Sequence, residues 1–103
     1  MPTEAYELRG QIFNWDRDKN LANIEKHGVS FKSAAFTFFD PNATMLDEVT
    51  SVQDEDRFLL IGLSEIPRLL TVCHCYREDD TVIRIVSARK ATTQEERVYG
   101  GTI

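Results

Sequence analysis

The stretch Ile83-Arg84-Ile85-Val86-Ser87-Ala88-Arg89-Lys90-Ala91-Thr92, followed by Thr93-Gln94-Glu95, decides the fold. It reads as a strand that turns into a helix. The β-branched residues Ile83, Ile85 and Val86 favour an extended chain. Thr92 with Glu95 three residues on forms a capping box, which starts a helix. A buried strand has no need of three cations, yet this one carries Arg84, Arg89 and Lys90. Side chains alternate along a strand, so Ser87 and Arg89 share one face and Arg84 and Lys90 fall on the other. A guanidinium fixed beside a hydroxyl on a rigid element can hold a phosphate.

Working outward, the remaining chain divides into short elements of one domain, residues 1–103. Residues 1–9 read as a loosely held leader. Gln11 to Trp15 alternates polar and apolar and predicts a first strand. Asp16 can cap a helix to about Lys26, stopped by His27-Gly28, because glycine suits the left-handed position after a helix. Ser30 can cap a second helix, Phe31 to Phe39, with an apolar stripe of Phe31, Ala34, Ala35, Phe38 and Phe39. Asp40-Pro41-Asn42 ends it. Ala43 to Leu46, Arg57 to Leu63, Leu69 to Tyr76 and Val82 to Lys90 read as strands. Short turn-rich connections predict antiparallel pairing. Thr93 to Tyr99 is a last helix, ended by Gly100-Gly101. The class is therefore α+β: a small antiparallel sheet with two N-terminal helices and a C-terminal helix.

The net charge is −5, unfavourable for a broad nucleic-acid footprint. Its distribution softens that objection. Residues 47–56 hold five acids and no base, residues 78–80 hold three more, and both segments read as turns. Without those eight acids, nine remain against twelve Lys and Arg, so the regular elements are mildly basic. That leaves room for a local phosphate site. Apolar residues make up 42% of the chain, as in a globular protein. No apolar run approaches the ~20 residues of a membrane span. No secretory signal is visible. Cys73 and Cys75 lie two apart in one strand, a spacing that disfavours a mutual disulfide and fits a reduced cytoplasmic compartment.

Phe13-x-Trp15-Asp16, then Lys19-Asn20-x-x-Asn23-Ile24-x-Lys26-His27-Gly28-Val29-Ser30-Phe31, then Phe39-Asp40-Pro41, form an ordered series of motifs. Glu55-Asp56-Arg57-Phe58-x-x-Ile61-Gly62, Arg68-Leu69-Leu70-x-Val72 and the stretch around Ser87-Ala88-Arg89-Lys90-Ala91 extend it to Glu95 and Tyr99. In this order and spacing, over roughly residues 12–99, they resemble the BrnT family of small bacterial toxins. The resemblance implies a RelE-like fold and metal-independent endoribonuclease activity that arrests translation and growth. It implies no cofactor. It also implies a BrnA-like antitoxin whose ribbon-helix-helix portion binds DNA and represses the operon. The acidic balance and the leader depart from the family pattern.

Metal-free RNA cleavage uses the ribose 2′-hydroxyl as nucleophile. It needs a base, cations around the phosphorane, and an acid for the leaving 5′-oxygen. Arg89 with Ser87 is the first choice for the phosphate, against pairing of Arg89 with a surface carboxylate. Arg57 opens a central strand and can address the same face, or pair with Asp54 or Asp56. His27 is the group that titrates near neutrality, against a plain helix stop. Lys26 and Lys90 can contact RNA phosphates, and Tyr99 can donate a proton or stack on a base. Glu95 is expected as the cap partner of Thr92 in preference to a base. Cys73-His74-Cys75 places its thiols on one face and the imidazole on the other, so no metal site is expected. An alternative function is a non-catalytic module of the same fold that titrates a DNA-binding antitoxin and tunes transcription. Exposed strand or helix faces could receive that antitoxin or a second copy in a homodimer.

Overall fold

The computed structural model describes residues 2–101, without the side chains of residues 47–49 and 101. Its elements are strands β1 (Thr3–Leu8) and β2 (Gln11–Asp16), helices α1 (Arg17–His27) and α2 (Phe31–Phe36), and a 3-10 turn at Thr37–Phe39. Strands β3 (Thr44–Val52), β4 (Glu55–Leu63), β5 (Leu69–Arg77) and β6 (Val82–Lys90) follow, then helix α3 (Thr93–Val98) and a 3-10 turn, Tyr99–Gly101. The strands form one sheet in the order β1-β2-β6-β5-β4-β3. Among the described residues no helix is long and apolar enough to cross a membrane.

The sheet, the leader and the acidic stretch need correction. The sheet is mixed: β2 and β6 run parallel, with Phe13 opposite Ile83 and Asn14 opposite Arg84. Short connections predict pairing between sequence neighbours, and β2 and β6 are joined only through everything between them. Within the expected leader, Thr3–Leu8 is not loosely held, because β1 pairs with β2 along its whole length. The signal was Arg9-Gly10, whose φ angles of 51° and 85° make a two-residue hairpin turn. Trp15 Nε1 donates to Glu4 at 2.9 Å and Arg17 N to Pro2 O at 2.9 Å, so this hairpin is tied down. The acidic stretch 47–56 is mostly strand, the turn being Gln53-Asp54 with φ of 53° and 62°. An edge strand tolerates charge because one long side faces solvent.

Both N-terminal helices sit on one face of the sheet. Asp16 caps α1 by accepting from Asp18 N and Lys19 N, and Gly28 closes it at φ 70°. Ser30 caps α2 through Ser33 N. Phe13, Trp15, Phe31, Ala34, Ala35, Leu70, Val72, Ile83, Ile85 and Ala88 form the core between them. The second helix is shorter than expected. It tightens at Thr37, whose hydroxyl donates to Ala34 O, and Thr37 presses against Gly62 of β4, where an added Cβ would meet it at 2.8 Å. His74 points into this face, wholly buried among Phe38, Phe58 and Tyr76.

Candidate active site

The other face of the sheet carries the cations. Its geometry starts from a bulge in β6. Cys73 lies opposite Ser87 while His74 lies opposite Ile85, so Val86 has no partner of its own. A bulge shifts alternation by one residue. Ser87 and Arg89 share a face, as expected, but Arg84 joins them instead of facing away, because Arg84 pairs with Cys75 and Ser87 with Cys73. Lys90 stays on the helix side, opposite the core residue Leu70.

Arg57 reaches the same open face from β4. Its register partner on β3 is Thr50, two positions before the Leu59–Cys73 pair. Counting strand spacings, the backbones of Arg57 and Arg89 lie roughly 16 Å apart and flank a floor of Leu59, Cys73 and Ser87. Arg57 Nε is buried without a hydrogen-bond partner. Its positive charge works to lower the Cys73 thiol, but burial dominates and pushes that thiol up. Ser87 is exposed and hydrogen-bonds the same thiol. Arg84 Nη1 donates to Asn14 of β2 at 3.3 Å.

Arg89 is occupied. Its Nη1 and Nη2 donate to the two carboxylate oxygens of Glu95, at 2.7 and 3.0 Å. Glu95 Oε1 also accepts from Thr71 Oγ1 at 2.7 Å and from Thr92 N at 2.9 Å, the second completing the expected capping box. With the Arg89 guanidinium as the main cause, the Glu95 carboxyl is held down to about 2. The expected alternative for Arg89, pairing with a carboxylate, is therefore what this conformation contains. Thr71 was missed as a site residue, since a threonine inside an apolar strand gives no signal of its own.

The remaining sequence-predicted residues lie elsewhere. His27 ends α1, half-buried on the helix-covered side of the sheet, and Lys26 is exposed beside it. Among the described residues no hydrogen bond or ion pair joins His27 to Arg57, Ser87 or Arg89. By helical spacing His27 shares its face with Asn23. Asn23 is buried and was missed. Its amide donates to Val29 O and Ala88 O and accepts from Ala88 N. It therefore replaces a neighbouring strand where β6 runs on past its pairing with β2, and it holds the backbone between Ser87 and Arg89. Tyr99 donates to Asp40 at 2.5 Å, which raises the tyrosine hydroxyl above its usual range. Cys73 and Cys75 face the open side and His74 the core. Among the described residues no three such side chains gather as metal ligands.

The fold defines a small α+β protein with its two N-terminal helices on one side of the sheet and Arg57, Arg84 and Arg89 on the other. A family model described as "Ribonuclease toxin, BrnT, of type II toxin-antitoxin system" matches residues 15–95, and the chain belongs to that family. Membership makes it an endoribonuclease toxin, with RNA as substrate and an antitoxin as partner. The fold matches the 1.1 Å crystal structure of the Brucella abortus ribonuclease toxin BrnT with a TM-score of 0.54 and 23% identity. The match covers 77% of this chain and 94% of that one. No curated protein matches significantly.

Proposed function

We propose that the chain is a metal-independent, RelE-like endoribonuclease that binds the scissile phosphate on the open sheet face. The observation that carries this is the placement of Arg57, Arg84, Ser87 and Arg89 on one face of the sheet. Arg89 and Ser87 hold the phosphate and its developing charge, and Arg57, with its unpartnered Nε, draws the neighbouring backbone. His27 supplies the proton-transferring group. It lies one helical turn from Asn23, which bonds Ala88 of β6, with Lys26 next to it in sequence and Lys90 also on the helix side. RNA crossing that end of the sheet meets both strips. Tyr99, once parted from Asp40, is the further contact. The partner is a BrnA-like antitoxin with a ribbon-helix-helix DNA-binding portion, acting with the toxin in the cytoplasm.

The test is cleavage of RNA by purified protein with a chelator present. Arg89→Ala is expected to lose about 10²–10³-fold in rate, the usual effect of removing one preorganised oxyanion donor. His27→Ala is expected to lose at least about 10²-fold. Cleavage abolished by the chelator overturns the metal-independent scheme, and variants that cleave like wild type overturn the site.

The Arg89–Glu95 pair favours a second reading. A toxin fold whose phosphate-binding arginine is permanently neutralised would act only as a module that titrates its antitoxin. Expression without a partner separates the two: a module leaves growth unaffected.

A further inference from the structure

We infer that Glu95 is an internal competitor of RNA phosphate, held over the Arg89 site by a helix that is fastened only at its ends. This rests on the proposed phosphate role of Arg89 and adds a second, masked state to it.

The chemistry of the pair motivates it. A carboxylate and a phosphate both take a guanidinium fork through two oxygens. Glu95 does so here, and its Oε1 collects two further donors, the Thr71 hydroxyl and the Thr92 amide. Remove the carboxylate and Arg89, Thr71 and Thr92 present a ring of donors to one anion.

The mounting of α3 makes that removal feasible. None of its residues is buried, so no core packing opposes its displacement. Its leading end is anchored through the Glu95 contacts themselves. Its trailing end is anchored by Tyr99 on Asp40 and by Gly100 N on Thr44 Oγ1 at 2.8 Å. Asp40 in turn accepts from Leu63 N at the end of β4. The segment therefore spans from β6 toward the β3–β4 end of the sheet as a strap, joined by exchangeable polar contacts. Buried Ala91, whose amide donates to Leu69 O, marks the fixed point from which it departs.

The experiment measures binding of a short RNA with every ribose 2′-O-methylated, so that it cannot be cleaved, by fluorescence anisotropy at fixed salt. Glu95→Gln keeps an acceptor for Thr92 and Thr71 but removes the charge that competes for Arg89. It is expected to bind about tenfold tighter than wild type. Glu96→Gln makes the same change of net charge on an exposed neighbour and is expected to bind as wild type does. The double variant Arg89→Ala/Glu95→Gln should return to the weak binding of Arg89→Ala alone. Binding by Glu95→Gln that is unchanged or weaker overturns the inference, since Glu95 would then only position Arg89. Equal tightening by Glu96→Gln also overturns it, as a bulk charge effect. If instead Arg89→Ala binds and cleaves like wild type, it is the underlying site that is misplaced. A circular dichroism spectrum of Glu95→Gln that matches wild type at the assay temperature shows that the binding compares folded proteins.

Discussion

The two faces of the sheet are made by the same strands and treat their polar groups in opposite ways. On the helix-covered face each buried polar group is matched. Asn23 is bonded to Val29 and Ala88, Thr37 to Ala34, and His74 lies 3.3 Å from both Val72 O and the Tyr76 hydroxyl. On the open face Arg57 Nε has no partner, and Arg89 donates to Lys90 O at 3.4 Å and to one carboxylate from a helix with nothing buried. A buried donor left unmatched costs about 1–3 kcal/mol. The covered face thus matches its buried polar groups within the chain, and the open face keeps one buried donor unmatched.

The sharpest way to break that division compares one residue from each face. Trp15, 1% exposed, packs edge-on against Phe31. Trp15→Ala is expected to lose about 3–5 kcal/mol in urea unfolding. Arg89→Ala removes the partner that keeps Glu95 ionised, yet it should cost clearly less than Trp15→Ala while cleavage collapses. Comparable destabilisation by the two would remove the distinction between the faces.

Acid should attack the faces in sequence. Burial holds His74 neutral, lowering it from 6.5 to about 4. Below pH 6.5 the unfolded chain takes up a proton that the folded one refuses, so stability falls as pH drops from 6.5 toward about 4. The size is on the order of a few kcal/mol. Glu95 acts in a lower window. Its ionised form is favoured in the fold, so its contribution is whole above pH 4.5 and fades as pH falls toward about 2. His74→Leu should flatten the upper part of a stability-versus-pH curve and leave the lower part. An unaltered slope between pH 6.5 and 4 would show that another group governs it.

Asn23→Ala tests how far the covered face supports the open one. It strips both backbone partners from Ala88 and is expected to cost about 1–3 kcal/mol. Faster amide exchange at Ala88 is the direct readout. Exchange no faster than in wild type would mean that β6 holds Ser87 and Arg89 without this brace.

Much of this was legible in the chain. Caps at Asp16, Ser30 and Thr92 set three helix starts, because a capping side chain meets its own helix only a few residues away. The bounds Val82–Lys90 followed from β-branched residues between a turn and a cap. What escaped were features set by distant partners. Val86 carries no mark of a bulge, since the mismatch arises only against Cys73 and His74 on β5, and with it went the placement of Arg84. The parallel pairing of β2 with β6 depends on where the whole intervening chain returns. Where His27 stands relative to the arginines depends on which side of the sheet its helix covers, and the chemistry of an imidazole does not say that.

The smallest expected effect comes from the other arginine–glutamate pair of the open face, and it isolates what makes Arg89 different. Arg77 meets Glu55 across β5 and β4 with a bidentate fork, 2.6 and 3.0 Å. That contact is bidentate like the Arg89–Glu95 fork, but Arg77 donates through Nε and Nη2 where Arg89 donates through Nη1 and Nη2. The surroundings differ. The Arg77 and Glu55 side chains are 44% and 29% exposed, whereas Glu95 is only 14% exposed and gathers donors from Thr71 and Thr92. Water can take over both ends of the first pair, so Arg77→Ala should cost under about 1 kcal/mol and leave RNA cleavage unchanged. A loss of cleavage comparable to that of Arg89→Ala would mean that cationic charge anywhere on this face suffices. The donors gathered at the end of β6 would then lose their claim to be the site.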